Sequence, residues 1–554
     1  MTTVAQLLLD RADDDHTGLL YGDDAWTWRQ VAEESATWAS WMGRVRQVGP
    51  FHIGVLLDNG PEYLFLLGAA ALSGATVVGI NPTRRGEELA GDIRHTDCQV
   101  LVTDAAQRSL IEGLDIGIPS ERVFDIDDPA FRADVRATGL FPARLPAADT
   151  LYLLLFTSGS TGAPKAVRVS QGRLADAGQT MAQGSGFTAD DVLYCAMPMF
   201  HGNALNTCIV PAMAAGARLV VRRRFSASGF LPDVRHYGVT YFNYVGRALA
   251  YVLATPPAPD DADNTLRFGF GTDASPSDIS AFKKRFACPI VEGYGSSEGA
   301  IAMTRVPGTP RQALGMPPPG TEVAIVDPVS TRECPPAQID DTGRLLNASE
   351  AIGEIVSKNG AGRFEGYYAN TEADAERTRG GWFWSGDLGY RDEAGFFYFA
   401  GRPADWLRVD GENFAAAPLE RILARFPGVV TAAVYPVPDP RTGDQVMATL
   451  ELTPGAVFDP ADFARFLAAQ EDLGTKWAPR FVRIATQIPL TGTNKVDKRP
   501  LRSEAWVTSD PVWWRPFVGR GVSDDGSYRS FSPADSGHLA RELAVHGRAA
   551  LLAV

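Results

Sequence analysis

Apolar and polar positions follow two rhythms over the first 150 residues. Thr27–Trp41 carries apolar residues at helical spacing, and Pro61–Leu72 is apolar almost throughout. Phe51–Leu57, Val77–Ile80 and Gln99–Thr103 are short apolar runs bounded by turn residues, with a helix-like Arg85–Thr96 in between. Short runs alternating with longer helical segments predict right-handed strand–helix–strand units and a parallel sheet covered by helices. The rhythm resumes with strands at Val192–Met197 and Val239–Gly246, a helix at Arg247–Ala254, a small-residue strand from Phe268, a helix at Ser277–Phe286 and a strand at Ile290–Val291. From Gly353 the pattern turns β-rich. From Trp406 it becomes that of a small α+β domain: helices Pro418–Arg425 and Pro460–Gln470, strands Val429–Val437, Val446–Leu452 and Phe481–Ile484.

The chemistry concentrates after one strand. Leu151–Phe156 is an apolar run that stops at Thr157, Ser158, Gly159, Ser160, Thr161 and Gly162, followed by Ala163-Pro164-Lys165. Glycines let several backbone N–H groups point into one concavity, and hydroxyls and an ammonium complete a cradle for a chain of phosphates. The nucleotide-hydrolase loop Gly-x-x-x-x-Gly-Lys-Ser/Thr is a different spacing. Here Lys165 comes three positions after Gly162, and Ala166 stands where that loop needs a hydroxyl.

A chain of 554 residues implies more than one domain. The composition, 45% hydrophobic and 21% charged, is that of an ordinary globular protein, and a net charge of −14 argues against a nucleic-acid binder. The five cysteines, at 98, 195, 208, 288 and 334, are scattered, which fits free thiols in a reducing cytoplasm and no metal-ligand spacing. The start has no basic leader. Tyr63–Ile80 is uncharged, but Gly68, Ser73 and Gly74 divide it into a helix and a strand, so no transmembrane segment is expected.

Thr157-Ser158-Gly159-Ser160-Thr161-Gly162-x-Pro-Lys165 resembles the phosphate loop of the adenylate-forming superfamily of acyl-CoA synthetases, luciferases and peptide-synthetase adenylation domains. Asn81-Pro82-Thr83, Tyr294-Gly295-Ser296-Ser297-Glu298, Ser385-Gly386-Asp387, Gly401-Arg402 and Lys495 match its further motifs in order. Asn243–Leu249, Gly271–Phe286 and Arg408–Asn413 look most like its fatty-acyl and very-long-chain (fatty-acid-transport-protein-like) branch. The resemblance implies an α/β fold with a large N-terminal domain of helix-covered sheets plus a β-rich subdomain (1–400). A hinge (401–405), a small mobile α+β C-terminal domain (406–510) and an extension (511–554) follow. It implies ATP, with AMP as product, Mg²⁺ and coenzyme A as ligands.

By that resemblance Lys165 and Lys495 meet phosphate charge, Glu298 and Thr157 hold Mg²⁺, Tyr294 stacks on adenine, Ser297 lies near the α-phosphate, and Gly295 and Ser296 belong to the same nucleotide-binding motif. Asp387 and Arg402 reach the ribose, Gly411 and Glu412 line the pantetheine tunnel, and His201 sits near the thiol entrance. Tyr244, Val245, Gly246, Gly269, Gly271, Gly293 and Gly295, with His201, surround the acyl group. The implied activity is an acyl-CoA ligase for a hydrophobic carboxylic acid. Ala404 stands where the hinge residue is usually Asp or Lys, and Asn494 where glycine usually precedes the lysine. These departures keep alive a thioesterification-only enzyme fed with an acyl-adenylate by a partner, and beside it a non-catalytic lipid-binding or transport protein of this fold. A peptide-synthetase-type loader is disfavoured because no carrier domain is recognisable. The acid itself and the oligomeric state, a homodimer among the options, are not legible.

Overall fold

A computed structural model describes residues 2–136, 144–157, 165–246, 248–272, 274, 276–310, 312–340, 345–401, 406–409, 412–440, 443–470, 473, 476–491, 495–518, 521–522 and 527–548. The chain divides into two compact units. The first comprises Met1–Ala302 with Ala361–Arg379, and the second Met303–Gly360 with Gly380–Thr491 and Lys495–Val554.

Two sheets build the first unit. The six-stranded one runs in the order Val123–Asp125, Cys98–Thr103, His52–Leu56, Thr76–Gly79, Leu151–Thr157, Lys165–Ser170. All its neighbours are parallel except the last pair, which is antiparallel. The seven-stranded sheet has the order Ile290–Glu292, Phe268–Thr272, Tyr241–Val245, Val192–Cys195, Arg218–Val221, Thr17–Tyr21, Asp24–Thr27.

Local sequence explains the helices that cover them. Trp28–Val45 starts at Thr27, whose hydroxyl accepts from the Gln30 N–H while Gln30 caps Thr27 in return. It buries Trp28, Val31, Ala32, Ser35, Trp38, Trp41 and Met42 on one stripe. Pro61–Ser73 begins on a proline, ends at Gly74 with φ 73°, and is buried almost all round. A Cβ on Gly68 would lie 2.1 Å from Ser35 Oγ, so glycine there sets how closely the two helices approach. The uncharged Tyr63–Ile80 is thus a core helix followed by the strand Thr76–Gly79. Among the described residues no helix is long and apolar enough to cross a membrane.

The second unit holds an antiparallel sheet of Val323–Val326, Gly353–Ser357, Phe383–Arg391 and Phe397–Gly401. A five-stranded sheet follows, in the order Val429–Pro438, Asp444–Leu452, Phe481–Ala485, Val512–Trp514, Arg529–Ser530. Residues past 510 are part of this core. Val512–Trp514 pairs antiparallel with Phe481–Ala485, and Leu539 and Leu543 of the helix Pro533–Val545 pack with Tyr435, Met447 and Phe481. Ser532 and Asp535 form the capping box that starts that helix.

Two expectations change. Lys165 is not in a loop but is the first residue of the strand Lys165–Ser170, so residues 158–164 connect an antiparallel pair of strands. Glu412–Ala415 is a strand pairing with Trp406–Val409, and the following helix, Ala416–Leu423, starts ahead of Pro418.

Candidate active site

The strand Leu151–Thr157 carries its polar terminus to the sheet edge opposite Lys165, and the Thr157 hydroxyl donates to the Lys165 carbonyl at 3.5 Å. Ser158, Gly159, Ser160, Thr161 and Gly162 lie outside the described residues. Lys165 is 6% exposed and Glu298 7%, degrees of burial that a charged group tolerates only when paired. Lys165 Nζ is 3.3 Å from Glu376 Oε2 and 5.9 Å from the ring centre of Tyr367. Glu298 Oε1 accepts a 2.7 Å hydrogen bond from the Tyr367 hydroxyl, and Arg377 Nε donates to that hydroxyl at 3.3 Å. Lys165 and Glu298, 133 positions apart in sequence, therefore share one tyrosine.

Segment Ala361–Arg379 brings that tyrosine in. Glu365 accepts from the Ser170 N–H at 2.7 Å and its hydroxyl at 2.6 Å. The Arg168 N–H donates to the Gly366 carbonyl at 3.0 Å, and the Tyr368 N–H to the Ala166 carbonyl at 2.8 Å. These bonds fasten the segment to the strand Lys165–Ser170.

The Tyr294–Glu298 turn is braced from behind. Arg173 donates to the Ser297 and Arg168 carbonyls and lies 3.9 Å from Glu365. Burial pulls its guanidinium below the usual arginine value. Gly299, at φ 69°, lies flat on it: a Cβ there would be 2.4 Å from Arg173 Nη2. The Ser296 hydroxyl is buried with no hydrogen-bond partner among the described residues.

His201 ends a corner that leads from the strand Val192–Cys195. Asn59 fixes the corner, donating to the Met197 carbonyl at 2.9 Å and accepting from the Met199 N–H at 2.8 Å. His201 is half-buried beside Phe200. A Cβ on Gly202 would lie 3.5 Å from Leu155 and 3.9 Å from Ser297 Oγ, so this corner adjoins both the central strand and the Ser296–Glu298 turn.

The expected acyl-site residues are less open. Tyr244 is fully buried and donates to Glu292 Oε1 at 2.9 Å, an oxygen that also accepts from the Ala274 N–H at 2.8 Å. A Cβ on Gly271 would fall 2.4 Å from the Tyr244 carbonyl and 2.6 Å from its ring. At Gly269 it would meet the Phe242 ring at 2.4 Å, and at Gly293 the Phe270 ring at 2.7 Å. On that side these glycines seat aromatic rings of the protein itself. Val245 is buried, Gly246 (φ 60°) donates to the Thr272 carbonyl at 2.9 Å, and beside Gly295 the nearest atom to a Cβ would be the Ile301 carbonyl at 3.7 Å.

In the second unit, Asp387 is half-buried in the strand Phe383–Arg391. Its N–H donates to Ser385 Oγ at 3.0 Å, while the Gly386 N–H donates to Glu354 at 2.7 Å. Lys495 is exposed and closes a turn with Thr491, whose N–H donates to the Lys495 carbonyl at 2.7 Å. Arg402, Ala404, Gly411 and Asn494, and the side chain of Glu412, lie outside the described residues.

The AMP-binding enzyme family matches residues 10–368, and its AMP-binding enzyme C-terminal domain matches 418–495. The steroid-22-oyl-CoA synthetase of Rhodococcus jostii is 53% identical over 556 residues, covering 100% of this chain and 99% of that protein. The chain belongs to the AMP-binding enzyme family. It is an ATP-dependent, AMP-forming acyl-CoA ligase that activates its acid as an acyl-adenylate. The medium/long-chain fatty acid–CoA ligase FadD17 of Mycobacterium tuberculosis is 45% identical over 515 residues, covering 92% of this chain and 98% of that protein. The anthranilate CoA ligase AuaEII with anthranoyl-AMP shares the fold, with TM-score 0.78 at 22% identity over 91% of this chain and 98% of that one. So does the Bacillus subtilis O-succinylbenzoate coenzyme A synthetase with ATP and magnesium, with TM-score 0.72 at 22% identity over 90% and 98%.

The residues present fit the Mg²⁺–nucleotide that this family uses. Glu298 is a buried carboxylate, a hard oxygen donor suited to Mg²⁺, with one oxygen already held. Ser296 Oγ is a buried polar atom still lacking a partner among the described residues. No group of three His, Cys, Asp or Glu side chains among the described residues gathers to hold a metal ion.

Tyr367, Glu376, Arg173 and Asn59 were not singled out from sequence. Nothing local ties Glu376 to a lysine 211 residues away.

Proposed function

We infer that the enzyme activates a bulky hydrophobic acid, a steroid bearing a side-chain carboxylate, and transfers the acyl group to coenzyme A. Full-length similarity at 53% to a steroid-22-oyl-CoA synthetase favours this class. The 45% relative that takes medium and long chains makes a fatty acid the second reading.

The observation that carries the adenylation chemistry is the meeting of Lys165, Glu298 and Tyr367 at the strand ends flanking residues 158–164. In the first step a carboxylate oxygen attacks the α-phosphorus of ATP, and the bond to the β-phosphate breaks to release pyrophosphate. Mg²⁺, when bound, neutralises charge on the phosphates. Lys165 and Lys495 balance the charge that grows on the transferring group, and the backbone amides and hydroxyls of Ser158–Gly162 hold the phosphate chain. Glu298 and Thr157 orient the metal, Tyr294 to Ser297 the adenine and α-phosphate, and Asp387 and Arg402 the ribose. In the second step the CoA thiolate attacks the acyl carbon and AMP leaves. His201 guards the thiol entrance, and Gly411 and Glu412 line the pantetheine path. The acyl group runs past Tyr244, Val245, Gly246, Gly293 and Gly295, with Gly269 and Gly271 seating the rings behind it.

This reading divides the chain into a large domain to residue 400, a hinge at 401–405, a small domain to 510 and an extension integrated with it. Five free cysteines support a cytoplasmic location. A homodimer is tested by light scattering.

The test incubates the enzyme with ATP, Mg²⁺ and CoA against a C22-carboxylated steroid and C8 to C18 fatty acids, following pyrophosphate and thioester together. Turnover of the steroid acid at least ~10-fold above any fatty acid is expected. Preference for a fatty acid replaces the substrate class, and thioester only from a pre-formed adenylate replaces the ligase with the thioesterification-only enzyme.

A further inference from the structure

Glu298 is a buried carboxylate reached, among the described residues, by a single hydrogen-bond donor, and that donor comes from a separate segment of chain. The donor, Tyr367, is itself 3% exposed and fixed on every side. Its backbone N–H donates to Asp374 at 2.6 Å, its backbone bridges to Val167, and its ring stands edge-on to Phe364 at 5.1 Å. Arg377 occupies the hydroxyl oxygen as an acceptor at 3.3 Å, which leaves the O–H to aim at Glu298 Oε1, 2.7 Å away. A free glutamate loses rotamer entropy when it engages a ligand, and this one has lost it beforehand. The same ring backs Lys165, so one side chain sets the spacing between the buried carboxylate and the buried ammonium.

We propose that Tyr367 is a positioning residue for adenylation, tying down Glu298 Oε1 so that Oε2 is presented to the nucleotide-bound Mg²⁺. The proposal rests on the reading of Glu298 as the metal-holding carboxylate. Partners that orient a metal-ligating carboxylate are worth about 10- to 100-fold in metal affinity. A purely structural tyrosine would act through its ring, which Tyr367→Phe keeps.

The experiment titrates Mn²⁺, as a paramagnetic probe for Mg²⁺, into the full-length enzyme with α,β-methylene-ATP and reads occupancy by electron paramagnetic resonance. Tyr367→Phe is expected to weaken Mn²⁺ in this complex by ~10-fold. Thioester formation from pre-formed acyl-adenylate and CoA should change less than about twofold, because that half-reaction does not draw on the metal site. Wild-type Mn²⁺ affinity in Tyr367→Phe overturns the proposal. Glu298→Gln runs in parallel: wild-type affinity there overturns the metal reading itself, while its loss with Tyr367→Phe unaffected overturns only the role of the tyrosine. Should the phenylalanine variant not fold, Arg377→Gln carries the test, with a ~3-fold weakening expected and an unchanged affinity overturning the proposal.

Discussion

The strand Phe268–Thr272 reads, in sequence, as a small-residue stretch, and the turn Tyr294–Glu298 as a motif shared with adenylate-forming enzymes. Their surroundings differ. Gly269 and Gly271 are met by the rings of Phe242 and Tyr244, and the hydroxyl of Tyr244 is satisfied by Glu292. Among the described residues the turn instead keeps a buried serine hydroxyl without a partner and a buried carboxylate with one donor, beside a lysine held by an exposed glutamate. Small residues alone do not mark a ligand site, because neighbouring side chains fill the room they leave. Polar capacity kept in reserve inside a nucleotide motif is the stronger sign, since burying it without a later partner costs about 1–3 kcal/mol per group.

Removing the reserve should cost activity. Lys165→Ala is expected to lower kcat/KM for acid activation by ~100- to 1000-fold, the usual range for one preorganised charge at a phosphoryl centre. Steady-state kinetics at saturating CoA check it, and a loss below about tenfold would put Lys165 outside the reacting centre. Tyr367→Phe stands next, at ~10-fold in metal affinity, as argued above.

Removing room in the other region should cost stability. Gly271→Ala puts a methyl 2.4 Å from the Tyr244 carbonyl, a backbone atom that cannot swing aside. Overpacking of this kind costs about 1–3 kcal/mol, so calorimetry should show a Tm lower by roughly 1–4 °C. Undiminished Tm with altered choice among acids would instead make Gly271 a wall of the acyl site.

The smallest effect lies in the helix Gly86–His95, which packs against Leu154, Phe156 and Ala166. Asp92 is fully buried in the helix Gly86–His95, with Arg84 Nε at 3.1 Å in ion-pair range but not aligned as a hydrogen bond. Burial pushes its carboxyl up to about 6, against which the Arg84 charge works only partly. The folded protein therefore holds this proton more tightly than the unfolded chain, whose carboxyl titrates near 4. Stability from this group is full below about pH 4 and is lost as pH rises through about 6. Asp92→Asn should raise Tm by roughly 1–3 °C at pH 8 and by nothing at pH 4. Equal shifts at the two pH values would contradict the assignment.

Much of the fold was legible because its signals are local. The strand ending at Thr157 and the buried helix from Pro61 to its glycine cap stand where turn residues and apolar runs put them. The return strand Lys165–Ser170 was missed because Ala166-Val167-Arg168-Val169 is too short to stand out behind a glycine-rich loop. The site was half legible. Lys165 and Glu298 belong to motifs, but Tyr367 meets Glu298 from 69 residues away in sequence and Lys165 from farther still, and such closures leave no periodicity to read. Glycine carries two messages: at 269 and 271 it also accommodates an aromatic neighbour on the next strand.

The most direct test separates the two half-reactions in Lys165→Ala under single-turnover conditions. Pyrophosphate release from acid and Mg-ATP should fall at least ~100-fold, while thioester formation from a pre-formed acyl-adenylate and CoA stays within about threefold. Equal loss in both half-reactions, or none in the first, would contradict the assignment of this cluster to acid activation.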